Sequence, residues 1–480
     1  MKMNKMTTHG VRRSALGLAA LTLLLLGGCA ATGELARPTE PRLPEQWQHG
    51  TQAEARPQAW AGMLDPELQA FQREALARNR DLAMAALRFK DAERQLAQQG
   101  LRLQPSASLS SSANRPLESG GSSRSVDVGG VQVPVETRVG WNHSYSASLS
   151  ASYEPDLWGR LAARDRGLVA QRDQVQADIA AARVVIEARA AEIYWTLGAQ
   201  ARLRPLAQAQ LEAAEELLRI VKLRVREGKL LPVEVDRAAQ SVLSAQHRLA
   251  DLEAEVQLQA QQRALLLDQL ETGADAHPPG RLPDAAPPAW VLGSPAQVLG
   301  ARPDVQKARL QVDAALASLA VAEASRYPSL SFTGSIATGG SQARDWLSQP
   351  VLSLSSSLLV PLIDWRRLNY EREGARTGLE QAALSLRDTV HKALVDAEGQ
   401  WTQREKLQRQ TDAQARRVAE ARENERLAAL RLEVGAIGRN DWLQARVALL
   451  EAQQSLLQLQ LQGWLNQAAL YRALGGVSAG

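Results

Sequence analysis

Two hydrophobic spacings alternate along this chain. Most of it places apolar residues three and four positions apart, as on one face of a helix. Four short stretches instead alternate Ser or another small residue with Leu, Ala, Phe or Tyr: Ser106–Ala113, Tyr145–Tyr153, Ser329–Thr338 and Val351–Leu362. The first spacing predicts helices and the second predicts strands with two unlike faces. The elements follow one plan twice: helix, strand, loop, strand, very long helix, tight turn, long helix.

The duplication shows in the residues that punctuate it. Arg80-Asp81-Leu82 aligns with Pro303-Asp304-Val305, and Pro105-Ser106 with Pro328-Ser329, both at an offset of 223. Pro155, Arg160 and Trp195 match Pro361, Arg366 and Trp401 at 206. Leu223-Arg224, Gly228, Ala238, Ala245 and Leu252 match Leu430-Arg431, Gly435, Ala445, Ala452 and Leu459 at 207. The first offset exceeds the others because a Gly/Ser-rich loop, Asn114–Gly140, outgrows its counterpart, Gly339–Pro350.

The chain opens with a leader, 1–28, and a Pro-rich segment, 29–60. The first repeat, 61–275, holds a hairpin at 106–153 and long helices at 160–227 and 233–272. A linker, 276–300, leads to the second repeat, 301–475, with a hairpin at 329–362 and long helices at 366–434 and 440–474. The helix after Trp158 is about 100 Å long at roughly 1.5 Å per residue, so it belongs to a coiled or superhelical assembly. Val235, Val242, Leu249 and Val256 recur every seven residues, as do Trp442, Leu449 and Leu456. With the companion alanines they form either an a/d seam or a bundle core. Pro205 should kink the first long helix.

The strand lengths suit a tilted transmembrane strand of about 9–11 residues. Pro105 and Pro328 mark helix-to-strand junctions, and Pro155 and Pro361 mark the return. Aromatics flank the strands: Trp141 and Trp346 near the loop ends, and Tyr153, Trp158, Tyr327 and Trp365 near the helix ends. Interfacial girdles have this arrangement, although a soluble hairpin pair on a helical body shares the alternation. Four strands cannot close a barrel, and an open edge cannot face lipid. A membrane barrel therefore needs several chains.

Charge and cysteine usage narrow the class. The net charge is +4, with 56 Lys+Arg against 52 Asp+Glu, and Lys2, Lys5, Arg12 and Arg13 sit in an acid-free leader. The rest is neutral overall, so the basicity gives no support for nucleic-acid binding. A single cysteine excludes an internal disulfide and a thiolate metal cage. The apolar run Ala15–Leu26 is too short to span a bilayer and reads as a secretory signal. Leu26-Gly27-Gly28-Cys29 resembles a bacterial lipobox, implying cleavage before Cys29, acylation there and, with Ala30 following, outer-membrane sorting. An ordinary signal beside a chance cysteine is the alternative.

The lipobox, Pro38, Pro41 and Pro44, the duplicated plan, and the segments Tyr153-Glu154-Pro155-Asp156-Leu157-Trp158-Gly159-Arg160 and Val360-Pro361-Leu362-Ile363-Asp364-Trp365-Arg366 resemble the TolC family. Within it they are most similar to the NodT/OprM-type outer-membrane lipoproteins of RND efflux systems. The resemblance covers residues of about 40–475 and implies a mainly α fold with β: a homotrimer whose four strands per chain close a twelve-stranded barrel above a periplasmic α-barrel. It implies a passive efflux duct with a periplasmic adaptor and an inner-membrane RND pump as partners, outer-membrane lipid around it, and no cofactor beyond lipid on Cys29. It also implies a periplasmic gate at the second helix–helix turn. Asp441 matches one of the family's tip acids and Gln444 stands where a second acid is expected, placing more weight on Arg439. Asp441 equally suits a helix N-cap. The turns carrying Gly228 and Lys229, and Gly435 and Gly438, are candidates for adaptor contact, and both Gly228 and Gly435 suit left-handed helix ends.

No enzyme motif is present. The six histidines show no HExxH or paired metal spacing, and there is no nucleophile elbow, Walker A loop or dinucleotide fingerprint. Two other functions fit less of the pattern: an outer-membrane factor for type I protein secretion, and a lipid-anchored periplasmic coiled-coil protein.

Overall fold

The computed structural model describes residues 37–39, 42–48, 60, 64–101, 103–114, 124–135, 141–269, 280–288, 290, 294–342 and 349–476. The leader, Cys29, Pro41 and Trp346 lie outside the described residues, as do 276–279, 289 and 291–293 of the 276–300 linker. The chain forms two compact units. One contains Glu93–Val169 and Asp313–Glu380; the other contains Pro38–Ala92, Ala170–Val312 and the chain from Gln381 onward.

The elements in order are α1 (Pro66–Arg78), α2 (Arg80–Gln99), β1 (Leu103–Asn114), β2 (Arg124–Val128), β3 (Val131–Val135), β4 (Asn142–Tyr153), α3 (Arg160–Arg226) and α4 (Val233–Leu266), followed by α5 (Pro295–Ala301), α6 (Pro303–Ala324), β5 (Ser329–Gly340), β6 (Val351–Leu359), α7 (Trp365–Glu433) and α8 (Arg439–Ala473). The single helix expected before the first hairpin is two, broken at Asn79, and the end of the expected 276–300 linker is instead a short helix, α5, separated from α6 at Arg302. Both residues are extended, with ψ of 123° and 131°. Arg302 precedes a proline, which disfavours the helical region. Asn79 caps the helix after it, its Oδ1 accepting from Leu82 N at 3.1 Å.

In the first unit β1, β4, β5 and β6 form one antiparallel sheet in that order. Its register separates two faces. Ala107, Leu149, Ile336 and Leu352 stand in one row across the four strands. With Leu109, Tyr153, Phe332, Leu354 and Leu358 they make an apolar face whose large side chains are exposed, Leu354 at 82%. The other face is serine: Ser106–Ser150, Ser108–Ser148 and Ser110–Ser146 are hydrogen-bonded pairs at 2.7, 2.8 and 2.7 Å. Ser331, Thr333, Ser335, Ser353, Ser355 and Ser357 continue it; Ala337, Val351 and Leu359 interrupt it, and Ser111, His143, Thr338 and Ser356 stand on the apolar face. One apolar and one hydroxyl-lined face is the division a membrane barrel wall requires. β1 and β6 are the unpaired edges. Pro105 lies within β1 rather than before it, and an edge strand accommodates its missing N–H.

The long loop between β1 and β4 contains a hairpin that its Gly/Ser content concealed. β2 pairs with β3 in the register Val126↔Val133 and Val128↔Val131. Gly129 and Gly130 have φ of 67° and 88°, the two positive angles a type I′ turn needs.

Long helices of the second unit end alike. Gly228 N donates to Val225 O at 3.0 Å and Lys229 N to Arg224 O at 2.8 Å; Gly435 N and Ala436 N repeat this to Leu432 and Arg431 at the same distances. These paired bonds around a left-handed residue are Schellman caps. α4 closes in the same way around Asp268, at φ 52°, so the helix expected to reach residue 272 stops at Leu266. α3 runs unbroken through Pro205, an exposed position. The seven-residue seam also needs correction. Val242 and Ala245 are buried, but Val256 is exposed and Gln259 and Arg263 turn inward. In α8 the most buried line is Leu443, Leu450 and Leu457, one residue after the expected one. In α4 a drift of about 20° per heptad carries the seven-residue line out of the interface, whereas in α8 the line keeps its spacing and is offset by one residue.

The second unit's core is an aromatic cluster. Trp60 stacks on Tyr471 at 4.2 Å and on Trp290 at 6.2 Å, and meets Trp195 edge-on at 6.1 Å; Trp195 packs on Trp464 at 5.0 Å. All five are at most 5% exposed. The segment before α1, the inter-repeat segment and both repeats thus share one buried centre. Tyr194 OH donates to Asp65 and Glu67, and burial first, then these two carboxylates, pushes its phenol above the ordinary range.

Candidate functional site

The second helix–helix turn, where the sequence places a gate, is built from α8's first residues. Gly438 is the N-cap of α8, and Asp441 Oδ2 accepts its N–H at 3.2 Å. Asp441 is therefore an exposed N3 carboxylate reaching back to the cap, rather than the cap itself. Gln444, one turn on, is exposed.

Arg439 makes one of the contacts between the repeats. Its Nε lies 3.2 Å from Glu216 Oε1 on α3. Glu216 is also held bidentately by Arg219, at 2.8 and 2.7 Å. The Arg219 hydrogen bonds lower its carboxyl pKa, slight burial acts against them, and the charges of Arg219 and Arg439 add to the lowering. Glu216 thus remains an anion wherever Arg439 approaches it. The Arg439 side chain is 61% exposed, so this pair contributes at most about 1 kcal/mol.

Trp442, the next side chain on α8, is tied back to α7. Its Nε1 donates to Glu425 Oε1 at 3.0 Å, and Arg446 reaches the same oxygen at 3.9 Å while lying 5.7 Å from the Trp442 ring centre. Glu216, Glu425 and Arg446 were not singled out in the sequence. The Glu216–Arg219 spacing was visible as an i,i+3 helix pair, but nothing local points to a partner from the other repeat. At the first turn Gly228 and Lys229 are exposed, and Lys229 pairs with Glu227 at 2.8 Å. The Lys229 hydrogen bond and charge lower the Glu227 pKa against a small opposing effect of burial, with Arg224 adding to the lowering.

The strand-to-helix junctions of the first unit gather most of the flanking aromatics. Trp158 stacks on Tyr327 at 4.8 Å and donates to Pro328 O at 2.7 Å, and Arg326 lies 4.4 Å above the Trp365 ring. Tyr153 and Trp141 are exposed at opposite ends of β4. Most residues of the Glu154–Arg160 segment have a local task. Glu154 pairs with Arg160 at 2.6 Å, Asp156 accepts from Leu161 N and Ala162 N at 3.0 and 2.7 Å, and Gly159 takes φ 71°. The segment turns the chain from strand to helix and caps α3.

Among the described residues no group of His, Cys, Asp and Glu could hold a metal ion, and no helix is long and apolar enough to cross a membrane. The "Outer membrane efflux protein" family model matches residues 72–267 and 295–476, which are the two repeats. The pyoverdine export outer membrane protein OpmQ of Pseudomonas aeruginosa PAO1 is 28% identical over 465 residues, covering 94% of this chain and 95% of that one. The cation efflux system protein CusC of Escherichia coli K12 is 25% identical over 482 residues, covering 94% and 97%. The open state of the Neisseria gonorrhoeae MtrE outer membrane channel superimposes with a TM-score of 0.75 at 24% identity, covering 92% and 98%.

Proposed function

The chain belongs to the outer membrane efflux protein family, and on that premise we propose that three copies close their sheets, β6 of one against β1 of the next, into a twelve-stranded duct gated at the Arg439 turns. It is an outer-membrane component of an efflux system, and the further details follow from its own residues. The observation that carries the reading is the sheet with one leucine face, one serine face and two unpaired edges. Lipid accepts the first face, water the second, and identical neighbours the edges.

Arg439–Glu216 and Trp442–Glu425 hold the closed tip, and separating α8 from α3 and α7 opens it. The exposed turns at Gly228–Lys229 and Gly435–Gly438 receive a periplasmic adaptor, which couples the duct to an inner-membrane RND pump. Acylation of Cys29 anchors each copy. The chain is a conduit without catalysis of its own, and its cargo is small molecules. Single-channel recording in planar bilayers tests this. The purified protein is expected to give rare, small openings, and Arg439→Ala or Glu216→Gln to raise open probability. Absence of discrete conductance from all three proteins would refute the duct.

A further inference from the structure

A cleft of about 570 Å³ opens between α3, α4, α7 and α8, and every residue that lines it belongs to the second unit. Ligand pockets span roughly 300–1,000 Å³, so the cleft has room for a ring with its substituents.

The charges in the lining cancel. Glu192 accepts from Arg189 at 3.0 Å and pairs with Arg472 at 3.2 Å, and Glu255 is the fourth charged member. Two cations against two anions leave nothing to select an ion. Among the described residues no aromatic side chain lines the cleft, so a flat guest has no ring to stack on. Instead α8 supplies Leu461, Leu465 and Ala469, four residues apart and therefore one apolar strip along the helix.

Three neutral polar side chains line the same cleft although each is at least nine-tenths buried: Gln200 at 7% exposure, Gln259 at 9% and Asn466 at 7%. Among the described residues Gln200 has no hydrogen-bond partner; its Oε1 is sealed in the packing, which leaves Nε2 as the atom it can present to a guest. Gln259 spends Nε2 on Glu255 Oε1 at 2.7 Å. Asn466 spends Nδ2 on Gln400 O and Oε1 at 3.2 and 3.0 Å. Gln259 Oε1 and Asn466 Oδ1 are left without a bond among the described residues, and neither is sealed as Gln200 Oε1 is.

The open atoms are thus one donor and two acceptors. A carboxylate guest cannot donate to the acceptors, and an ammonium cannot accept from the donor. A hydroxyl does both. A ring with hydroxyls on its edge and C–H groups on its face suits the open amides and the leucine strip together.

We propose that this cleft binds an uncharged, hydroxyl-rich ring, a sugar, whose hydroxyls accept from Gln200 Nε2 and donate to Gln259 Oε1 and Asn466 Oδ1. The site is independent of the duct reading, because it lies within one unit of a single chain.

Calorimetric titration of the purified full chain with maltose, in lauryldimethylamine oxide so that no detergent head group is a sugar, tests it. One saturable maltose site per chain is expected. Gln200→Met and Gln259→Met, which keep side-chain length and delete the amide, should each weaken it at least tenfold. Gln462→Ala, at an exposed position of the lining, should leave it within about twofold. If Gln200→Met does not fold, Gln259→Met alone decides. Maltose heats equal to dilution, displacement of maltose by acetate or methylammonium, or maltose binding unchanged in the Met variants would overturn the assignment.

Discussion

Arg302 donates from Nη1 to the carbonyl oxygen of Ala473, and Asn79 donates from Nδ2 to that of Leu266 at 3.3 Å. Arg302 and Asn79 are equivalent by the 223-residue offset, and Ala473 and Leu266 by the 207-residue offset. Each repeat thus closes the end of its second long helix with the residue that breaks its first helix in two. The side chains differ, but the carbonyl they satisfy is the same.

The two clamps should differ in strength. Arg302 also bonds Asp304 at 2.8 Å with its side chain only 10% exposed, so Arg302→Ala strands a helix-end carbonyl and a carboxylate. Asp304 is 47% exposed, so water screens it once unpaired, and the expected loss is about 1–4 kcal/mol, somewhat above the roughly 1–3 kcal/mol for Asn79→Ala. Thermal melting of the two variants against the parent checks the order.

Asp304 gives the clamp a pH dependence. Burial tends to raise its pKa, but the Arg302 hydrogen bonds and charge, with backbone N–H groups, hold it below the usual carboxylate range. A depressed folded pKa adds stability above the unfolded value, near 3.9, and loses it as pH falls through the folded value. Melting temperature from pH 6 to pH 2 (a span of about 4 units) should fall more steeply for the parent than for Asp304→Asn. Parallel curves would remove Asp304 from the account.

Glycines separate backbone strain from steric fit. At Gly435, φ is 74° and an added Cβ meets nothing within 4 Å, so Gly435→Ala should cost only the left-handed penalty of about 1–2 kcal/mol. At Gly198 an added Cβ falls 2.4 Å from the backbone of Arg281 and Leu282. Gly198→Ala must push the inter-repeat segment off α3 and should destabilise more than Gly435→Ala or Gly228→Ala. Denaturant midpoints of the three rank them.

The sheet faces give opposite outcomes for neighbouring residues. Leu149 is on the apolar face at 57% exposure, and Ser148 is on the serine face, paired with Ser108. Leu149→Arg should weaken assembly by about 2–4 kcal/mol if the row lies at mid-membrane. Ser148→Arg should leave assembly intact and alter conductance. Quantifying the assembled fraction in isolated outer membranes distinguishes the pair.

Much of this architecture was legible because it is periodic. Serine alternation marked the two-faced strands, and glycines 207 residues apart marked matching helix ends. The β2–β3 hairpin was missed although valines alternate on both sides of Gly129-Gly130, since the surrounding Gly/Ser residues read as loop. The end of α4 at Leu266 was hidden by the apolar run through Leu267, and Asp268 in a left-handed conformation is not a routine stop signal. Pairings between distant segments left no periodic trace. Trp60 with Tyr471 and Arg439 with Glu216 are set by how distant parts of the chain pack, and Arg302 with Ala473 by how one repeat closes on itself, so the candidate gate was located without its main partner.

The central claim is that copies of this chain share one barrel. It is tested most directly by the native mass of the detergent-extracted protein from separated inner and outer membranes. A three-chain species in the outer-membrane fraction is the expected result. A monomer, released without detergent once Cys29 is replaced by Ser, would contradict it and leave a tethered coiled-coil protein.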